Sequence, residues 1–418
     1  MRRVVVTGMG VVTAAGQDVN QFGITLKNGR SGIKSVPEPG DLPLEIAALL
    51  TDFDVDKALG QVQGLTGELH HKARSFARRA SLSIQTSIVS TVEAWLQAKL
   101  GASEVDPTQV SVVVAGQNLN RFESYTHQQK HQTAIEYLPP RYGIQFLDTD
   151  QIGTISELLE IRGEGMTVGG ASASGNVGLI QGSRLIQWGV ADLCVVVGAL
   201  MNLSPLEVQA FKSTGALGGK TISDPSKACR PFDEDREGFI YGQGSGCLIL
   251  ESEESAARRR VPPIAEVAGY GMNLDGNRLT NPDSAGEVRA MAQALHTAGV
   301  SPYDVDYINT HGTSSVLGDA TEIKAIQELF DEAGPTVWLN ATKSLTGHCL
   351  TAAGIIEAIA TIIQMNEASL HPNLNLNNPL ETSCRFVGPQ SQVAHINFAL
   401  SNSFGFGGIN SSILLKRR

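Results

Sequence analysis

Four short segments of the chain carry side chains able to do chemistry. Ser172 stands in Gly169-Gly170-Ala171-Ser172-Ala173-Ser174-Gly175, at the start of a long, nearly uncharged stretch. A nucleophile placed there, at the N-terminus of a buried helix, faces unpaired backbone N–H groups and the positive end of the helix dipole. His311 lies in Asn309-Thr310-His311-Gly312-Thr313-Ser314, and Lys343 and His348 in Thr342-Lys343-Ser344-Leu345-Thr346-Gly347-His348. A lone histidine in the position of His311, immediately after a strand, is more often a satisfied structural residue. Two imidazoles at strand ends, one on each side of a shared core, could converge and donate two N–H bonds to one carbonyl oxygen, as an enolate or oxyanion requires. The fourth segment, Asn402-Ser403-Phe404-Gly405-Phe406-Gly407-Gly408, embeds aromatics in glycines. It is either a β-turn with core phenylalanines or a flexible gate over a reactive thioester.

The elements that must position these residues are short β-branched runs alternating with helical patterns, which predicts an α/β fold. The runs are Val4–Val12, Val110–Ala115, Leu193–Gly198 and Cys247–Glu251, then Ile264–Tyr270, Val305–Thr310, Val337–Ala341, Ile396–Ser401 and Ser412–Lys416. Helices are expected over Arg74–Leu96, Glu287–Ala298 and Ala320–Glu332. Two further segments, Ala173–Trp188 and Cys349–Met365, are apolar all round, with Arg184 and Glu357 as their sole charges. Such helices must be covered on every side, so each belongs between sheets. Each follows a strand and a tight turn (Met166–Gly170; Ala341–Gly347), which predicts an internal duplication with Ser172 at one helix entrance and His348 at the other. Charge and Pro262-Pro263 interrupt the pattern at 253–262, dividing the chain into residues 1–255 and 256–418.

Composition narrows the function classes. Of 418 residues, 42% are hydrophobic and the net charge is −10, which argues for large cores and against binding a nucleic-acid backbone. No apolar segment approaches the roughly 20 residues of a membrane span. Arg2-Arg3 precede a run that breaks at Thr7-Gly8 without a cleavage site, so no signal peptide is read there. Five scattered cysteines without CxxC spacing suit reduced thiols in the cytoplasm and no structural metal.

Taken together, the segments resemble the β-ketoacyl-ACP synthases of the thiolase superfamily over nearly the whole chain. Cys229-Arg230-Pro231-Phe232-Asp233 through Gly246 is similar to that family's RPFD…GFxxGxGxG stretch. His311-Gly312-Thr313, Lys343-Ser344…Gly347-His348 and Asn402–Asn410 are similar to three more of its signatures, in order and spacing. The resemblance implies a thiolase fold with a duplicated five-layer αβαβα core and a homodimer. It also implies substrates carried on the phosphopantetheine of an acyl carrier protein, with no cofactor or metal held by the chain. By position, Ser172 takes the place of the acyl-accepting cysteine, and His311 and His348 match the two catalytic histidines. Lys343 matches the lysine that orients the site, with Glu322 as its expected partner. Phe406 matches the phenylalanine whose backbone N–H forms an oxyanion hole with that of residue 172. Arg121, Lys130, Arg141 and Lys212 are candidates for a basic patch facing an acidic carrier. Cys349 lies on the wrong half to replace the nucleophile and reads as core packing.

The serine divides the family's reaction. A thiol is partly ionised near neutrality, whereas a hydroxyl needs an adjacent base, so acyl loading should fail. Decarboxylation of malonyl-ACP needs no nucleophile. It needs a thioester oxygen held by His311 and His348, and an apolar wall, Phe404 or Phe406, that favours loss of the carboxylate as carbon dioxide. Gly170 also replaces a threonine usual in the family, and residues 117–150 lack its Ser-Pro-Phe-Phe-Val-Pro segment. These joint departures resemble the serine-containing ketosynthase homologues of polyketide β-branching cassettes. Those act as malonyl-ACP decarboxylases beside a 3-hydroxy-3-methylglutaryl (HMG) synthase-like enzyme. The alternatives are a condensing synthase or a Cys-to-Ser trap of one, and a non-catalytic subunit like a chain-length factor.

Overall fold

In the computed structural model, which describes residues 1–36, 42–102, 105–220 and 223–418, the duplication is visible in the strand order. The first half contributes β1 (Val4–Thr13), β2 (Val110–Ala115), β3 (Gly165–Val168), β4 (Leu193–Gly198) and β5 (Gly244–Ser252). They lie in the order β1-β5-β4-β2-β3. The second half contributes β6 (Ala265–Leu274), β7 (Tyr307–Asn309), β8 (Trp338–Asn340), β9 (Phe398–Gly405) and β10 (Ile409–Lys416). Their order is β6-β10-β9-β7-β8, the same permutation, with a short edge strand at Arg385–Phe386 beyond β8. In each half the second strand runs parallel to both neighbours and the last is antiparallel to both. The halves join where Val4–Val6 pair with Ala265–Val267.

Helices complete five layers, α-β-α-β-α. α1 (Leu82–Gln97) covers the outer face of the first sheet, and α3 (Ser284–Ala298) with α4 (Val316–Phe330) the outer face of the second. α2 (Ser174–Gln187) and α5 (Ala353–Glu367) form the middle layer. Strand alternation divides the apolar residues accordingly. Leu248 and Leu250 of β5 pack inward with Leu179 and Ile359, whereas Ile249 faces outward with Ile88 and Val92. Leu414 of β10 likewise faces outward with Met291 and Ile323. The outer helices come close because glycines repeat in the first strand of each half. A side chain at Gly8 or Gly10 would meet the Ala94 or Ser90 carbonyl, and one at Gly269 or Gly271 the Ala294 or Ala290 carbonyl.

Several boundaries differ from the sequence expectation. The pattern over Arg74–Leu96 is two helices, Gly67–Ala77 and α1, because Ser81 accepts the Ile84 N–H and caps a new start. Neither glycine nor proline marks that break. The turn expected before the second buried helix is one helical turn, Lys343–Thr346, and α5 begins at Ala353 after a 3-10 turn. Among the described residues no helix is long and apolar enough to cross a membrane.

Candidate active site

Two helix entrances meet at the centre of the middle layer. At the first, Ala171 takes a left-handed φ of 50° and opens the 3-10 turn Ala171–Ala173 that leads into α2. Ser174 Oγ fastens this turn, donating to the Ala171 carbonyl at 2.7 Å and accepting the Gly170 N–H at 2.9 Å. The second entrance repeats it: Leu350 at φ 49° opens the turn Leu350–Ala352 into α5. The helices touch at Gly175 and Gly354, where an added Cβ on Gly175 would sit 2.6 Å from the Ile355 nitrogen and one on Gly354 2.7 Å from the Asn176 nitrogen. The counterpart of Ser172 is therefore Thr351, not His348 as expected from the sequence. Thr351 is buried and its hydroxyl donates to the Ala199 carbonyl.

His348 lies three residues upstream and turns back to Ser172. Its Nδ1 accepts the Leu350 N–H at 3.3 Å, and its Nε2 lies 2.9 Å from Ser172 Oγ. A neutral ring that accepts at Nδ1 carries its proton on Nε2, so Nε2–H donates to the serine. His311, at the end of β7, is edge-on to His348, with centroids 5.6 Å apart. Lys343 Nζ donates to the His311 carbonyl at 2.5 Å and lies 3.3 Å from its Nδ1, which places that proton on Nε2 as well. Burial, with the Lys343 charge, holds both imidazoles well below the usual histidine pKa. The arrangement is two neutral rings, each an N–H donor at Nε2.

Lys343 is buried and ion-paired with Glu357, the sole charge of the segment Cys349–Met365, and not with Glu322. Glu322 instead accepts the His311 and Gly312 N–H groups, each at 2.8 Å, and Asn402 Nδ2 at 3.2 Å. The mismatch follows from direction: Glu322 projects from α4 under the His311 loop, whereas Glu357 projects from the middle layer. Burial pushes both carboxyls up to about 7, against Lys343 for Glu357 and against the two backbone N–H donors for Glu322. The isolated charge of Glu357 in an apolar segment was the signal for its role.

Phe404 is buried on β9, edge-on to His311 at 5.8 Å. Phe406, 42% exposed, sits at the turn between β9 and β10, followed by Gly407 and Gly408 at φ 87° and 71°. A side chain at Gly405 would approach the Gly170 carbonyl to 2.4 Å, so this hairpin lies directly on the Ser172 turn. Ser172, His311, His348, Phe404 and Phe406 line one cavity of about 390 Å³. Cys349 is buried in the core, its thiol pushed up to about 12. Of the four basic candidates, Arg121 is paired with Glu207 and Arg141 donates to the Arg79 carbonyl, while Lys130 is exposed and Lys212 half-buried.

The match to known proteins extends over both halves. The family model for the beta-ketoacyl synthase N-terminal domain matches residues 1–256, and that for its C-terminal domain residues 264–377. The chain belongs to the β-ketoacyl synthase family. It is 37% identical, over 99% of its length and 96% of the relative's, to the polyketide biosynthesis malonyl-ACP decarboxylase PksF of Bacillus subtilis (strain 168). It is 33% identical to 3-oxoacyl-(acyl-carrier-protein) synthase 2 of Vibrio cholerae, over 100% of its own length and 99% of that enzyme's. A crystal structure of a beta-ketoacyl synthase from Burkholderia phymatum STM815 superposes with a TM-score of 0.87 at 27% identity, covering 100% of both chains. A type II polyketide ketosynthase solved with its acyl-carrier protein gives 0.86 at 26% identity, again over 100% of both. The layers described above are those of the thiolase fold shared by these ketosynthases.

Proposed function

We propose that the protein is a malonyl-ACP decarboxylase that makes acetyl-ACP, supplying acetyl units for polyketide β-branching. The observation that carries this reading is the contact of the Leu350 N–H with His348 Nδ1, which assigns the His348 proton to Nε2. The ring's lone pair is taken by the Leu350 N–H and its proton points at Ser172. A hydroxyl that receives a hydrogen bond from its neighbour has no base there to ionise it, so Ser172 cannot load an acyl chain. The two Nε2–H donors remain suited to a thioester oxygen.

In this reading an acyl carrier protein delivers malonyl on its phosphopantetheine arm into the cavity. The thioester oxygen accepts from Nε2 of His311 and of His348. Lys343, held by Glu357, keeps His311 in the donating tautomer, and Glu322 fixes the backbone on which His311 sits. Phe404 and Phe406 surround the carboxylate with apolar surface, which favours its departure as carbon dioxide. Electron density left on the α-carbon delocalises onto the oxygen that the imidazoles hold. The backbone N–H groups of Ser172 and Phe406, an oxyanion hole for an acylated nucleophile in the family, have no acyl-enzyme to serve. The reading calls for no bound metal or cofactor, a homodimer in the cytoplasm, and an HMG-synthase-like enzyme as consumer of the product. The likeness to PksF supports it.

Malonyl-ACP incubated with the protein alone should become acetyl-ACP by intact-protein mass spectrometry, with no mass added to the protein. An acyl adduct together with a lengthened acyl-ACP would overturn the reading in favour of a condensing synthase.

A further inference from the structure

Three acids line the cavity without a part in the steps above, Glu237, Asp275 and Glu287, and of these Glu287 alone is buried. Glu287 lies in the first turn of α3 and lines the same cavity as Ser172, His311, His348 and Phe404. It is only 1% exposed to solvent, and its Oε2 has no hydrogen-bond partner among the described residues. Met291, one helical turn on, accepts Asn402 Nδ2 at 3.3 Å. Asn402 also donates to Glu322, which holds the His311 backbone. At Met291, one turn beyond Glu287, α3 therefore touches the side chains that hold the His311 backbone. An unpartnered buried carboxyl is costly unless it does something or is neutral.

Its surroundings favour the neutral form. Glu322 and Asp319 from α4, Asp275 from the end of β6 and Asp283 at the N-cap of α3 all act on it with negative charge. Arg289, on the next turn of the same helix, acts on Asp275. Burial first, and these carboxylates second, push Glu287 well above the usual glutamate pKa. The cavity thus contains a carboxylic acid, one that keeps its proton where an ordinary glutamate has lost it.

Decarboxylation leaves a need for such a proton. Breaking the bond between the α-carbon and the carboxylate expels carbon dioxide and leaves the bonding pair as an enolate. That carbon must take one proton to become a methyl group. The imidazole N–H groups are engaged on the oxygen, and Lys343 is bound to Glu357 and to the His311 carbonyl. We propose that Glu287 is the acid that delivers this proton to the α-carbon. The O–H bond of Glu287 breaks as the C–H bond forms. The resulting carboxylate recovers a proton from water, so that each turnover consumes malonyl-ACP and one proton and yields acetyl-ACP and carbon dioxide. Repulsion from Glu322 and Asp275 drives that recovery. The proposal rests on the decarboxylase reading above.

The test compares wild type, Glu287→Gln and Glu287→Asp with malonyl-ACP in buffer containing ¹³C-bicarbonate. Glutamine keeps the shape and loses the transferable proton. Glu287→Gln is expected to lower acetyl-ACP formation on the order of 10²-fold, the usual contribution of a positioned acid. Its enolate, left unprotonated, should recapture carbon dioxide, so that the remaining malonyl-ACP gains ¹³C that wild type does not incorporate. Glu287→Asp should fall between the two. The wild-type rate should decline with rising pH as Glu287 ionises, and the glutamine variant should lack that limb. Acetyl-ACP formation by folded Glu287→Gln within about twofold of wild type, well short of a general acid's contribution, overturns this assignment and leaves the decarboxylase reading standing. Should the variants fail to fold, a wild-type rate flat from neutral to alkaline pH overturns it equally. A wild type that makes no acetyl-ACP sinks both.

Discussion

The two helix entrances have the same backbone and opposite chemistry. Ala171 and Leu350 share a left-handed conformation, a 3-10 turn follows each, and Gly175 and Gly354 let the two helices touch. The first entrance offers one hydroxyl among small neighbours. The second places Thr351 in the equivalent position, lining the same cavity with its hydroxyl given to the Ala199 carbonyl, in the half that also carries His348, His311, Lys343 and Glu357. The residues proposed to hold the thioester oxygen thus belong to one half, and the proposed nucleophile position to the other. A substitution at residue 172 can remove acyl transfer without disturbing a single partner of the histidines except the serine itself.

That division is most directly broken at the histidines. His311→Ala or His348→Ala should lower acetyl-ACP formation by about 10²–10³-fold, the usual loss for one oxyanion donor. Activity that survives either change would show that the second half does not carry the reaction. The readout is initial rate by mass spectrometry of the carrier.

Next in size is Lys343→Met. It leaves Glu357 buried without its cation, which costs about 3–5 kcal/mol when one partner of such a pair is removed. Thermal and urea unfolding should show this loss. The double variant Lys343→Met with Glu357→Leu should recover much of the stability and none of the activity, because His311 would still lack the donor that sets its tautomer.

A pH series sharpens the comparison further. His371 is buried in the second half beside Thr342 and is held down to about 4 by desolvation. Between the ordinary value near 6.5 and about 4, the unfolded chain binds a proton that the folded one does not. Stability therefore falls as the pH drops through that window. The stability advantage of wild type over His371→Gln should shrink by roughly 1–3 kcal/mol from pH 6.5 to 4. A constant difference would mean that His371 is not held neutral.

Ser172 should give the smallest effect on decarboxylation. Ser172→Ala removes one acceptor from His348 and should move the rate less than any histidine variant does. Ser172→Cys should restore an acyl adduct, because a thiolate needs no help from His348 to form in part. The absence of any adduct on the cysteine variant would show that the first half has lost more than its nucleophile.

Much of this site was legible in the residues. Strands such as Val110–Ala115 and Leu193–Gly198 are read to the residue because strands buried on both faces form short continuous runs rich in valine. The helix break at Ser81 was not, since a serine cap leaves the apolar period intact. The partnership of Lys343 was misread because Glu322 was carried over from the family resemblance, whereas the ion pair is made with Glu357 on α5, closer to Lys343 in the chain than Glu322 is.

By itself, the sequence determined that the chain is a duplicated α/β protein of the ketosynthase type, with serine in place of a nucleophile and both histidines kept. Those features are local: periodicity carries the duplicated α/β pattern, and the resemblance of the motifs implies the ketosynthase type. Only the tertiary structure decided which proton each histidine carries, that Thr351 and not His348 is the counterpart of Ser172, and that Glu287 reaches the cavity. Tautomers and pKa values are set by neighbours and burial, and those neighbours come from distant parts of the chain that meet only when the five layers close.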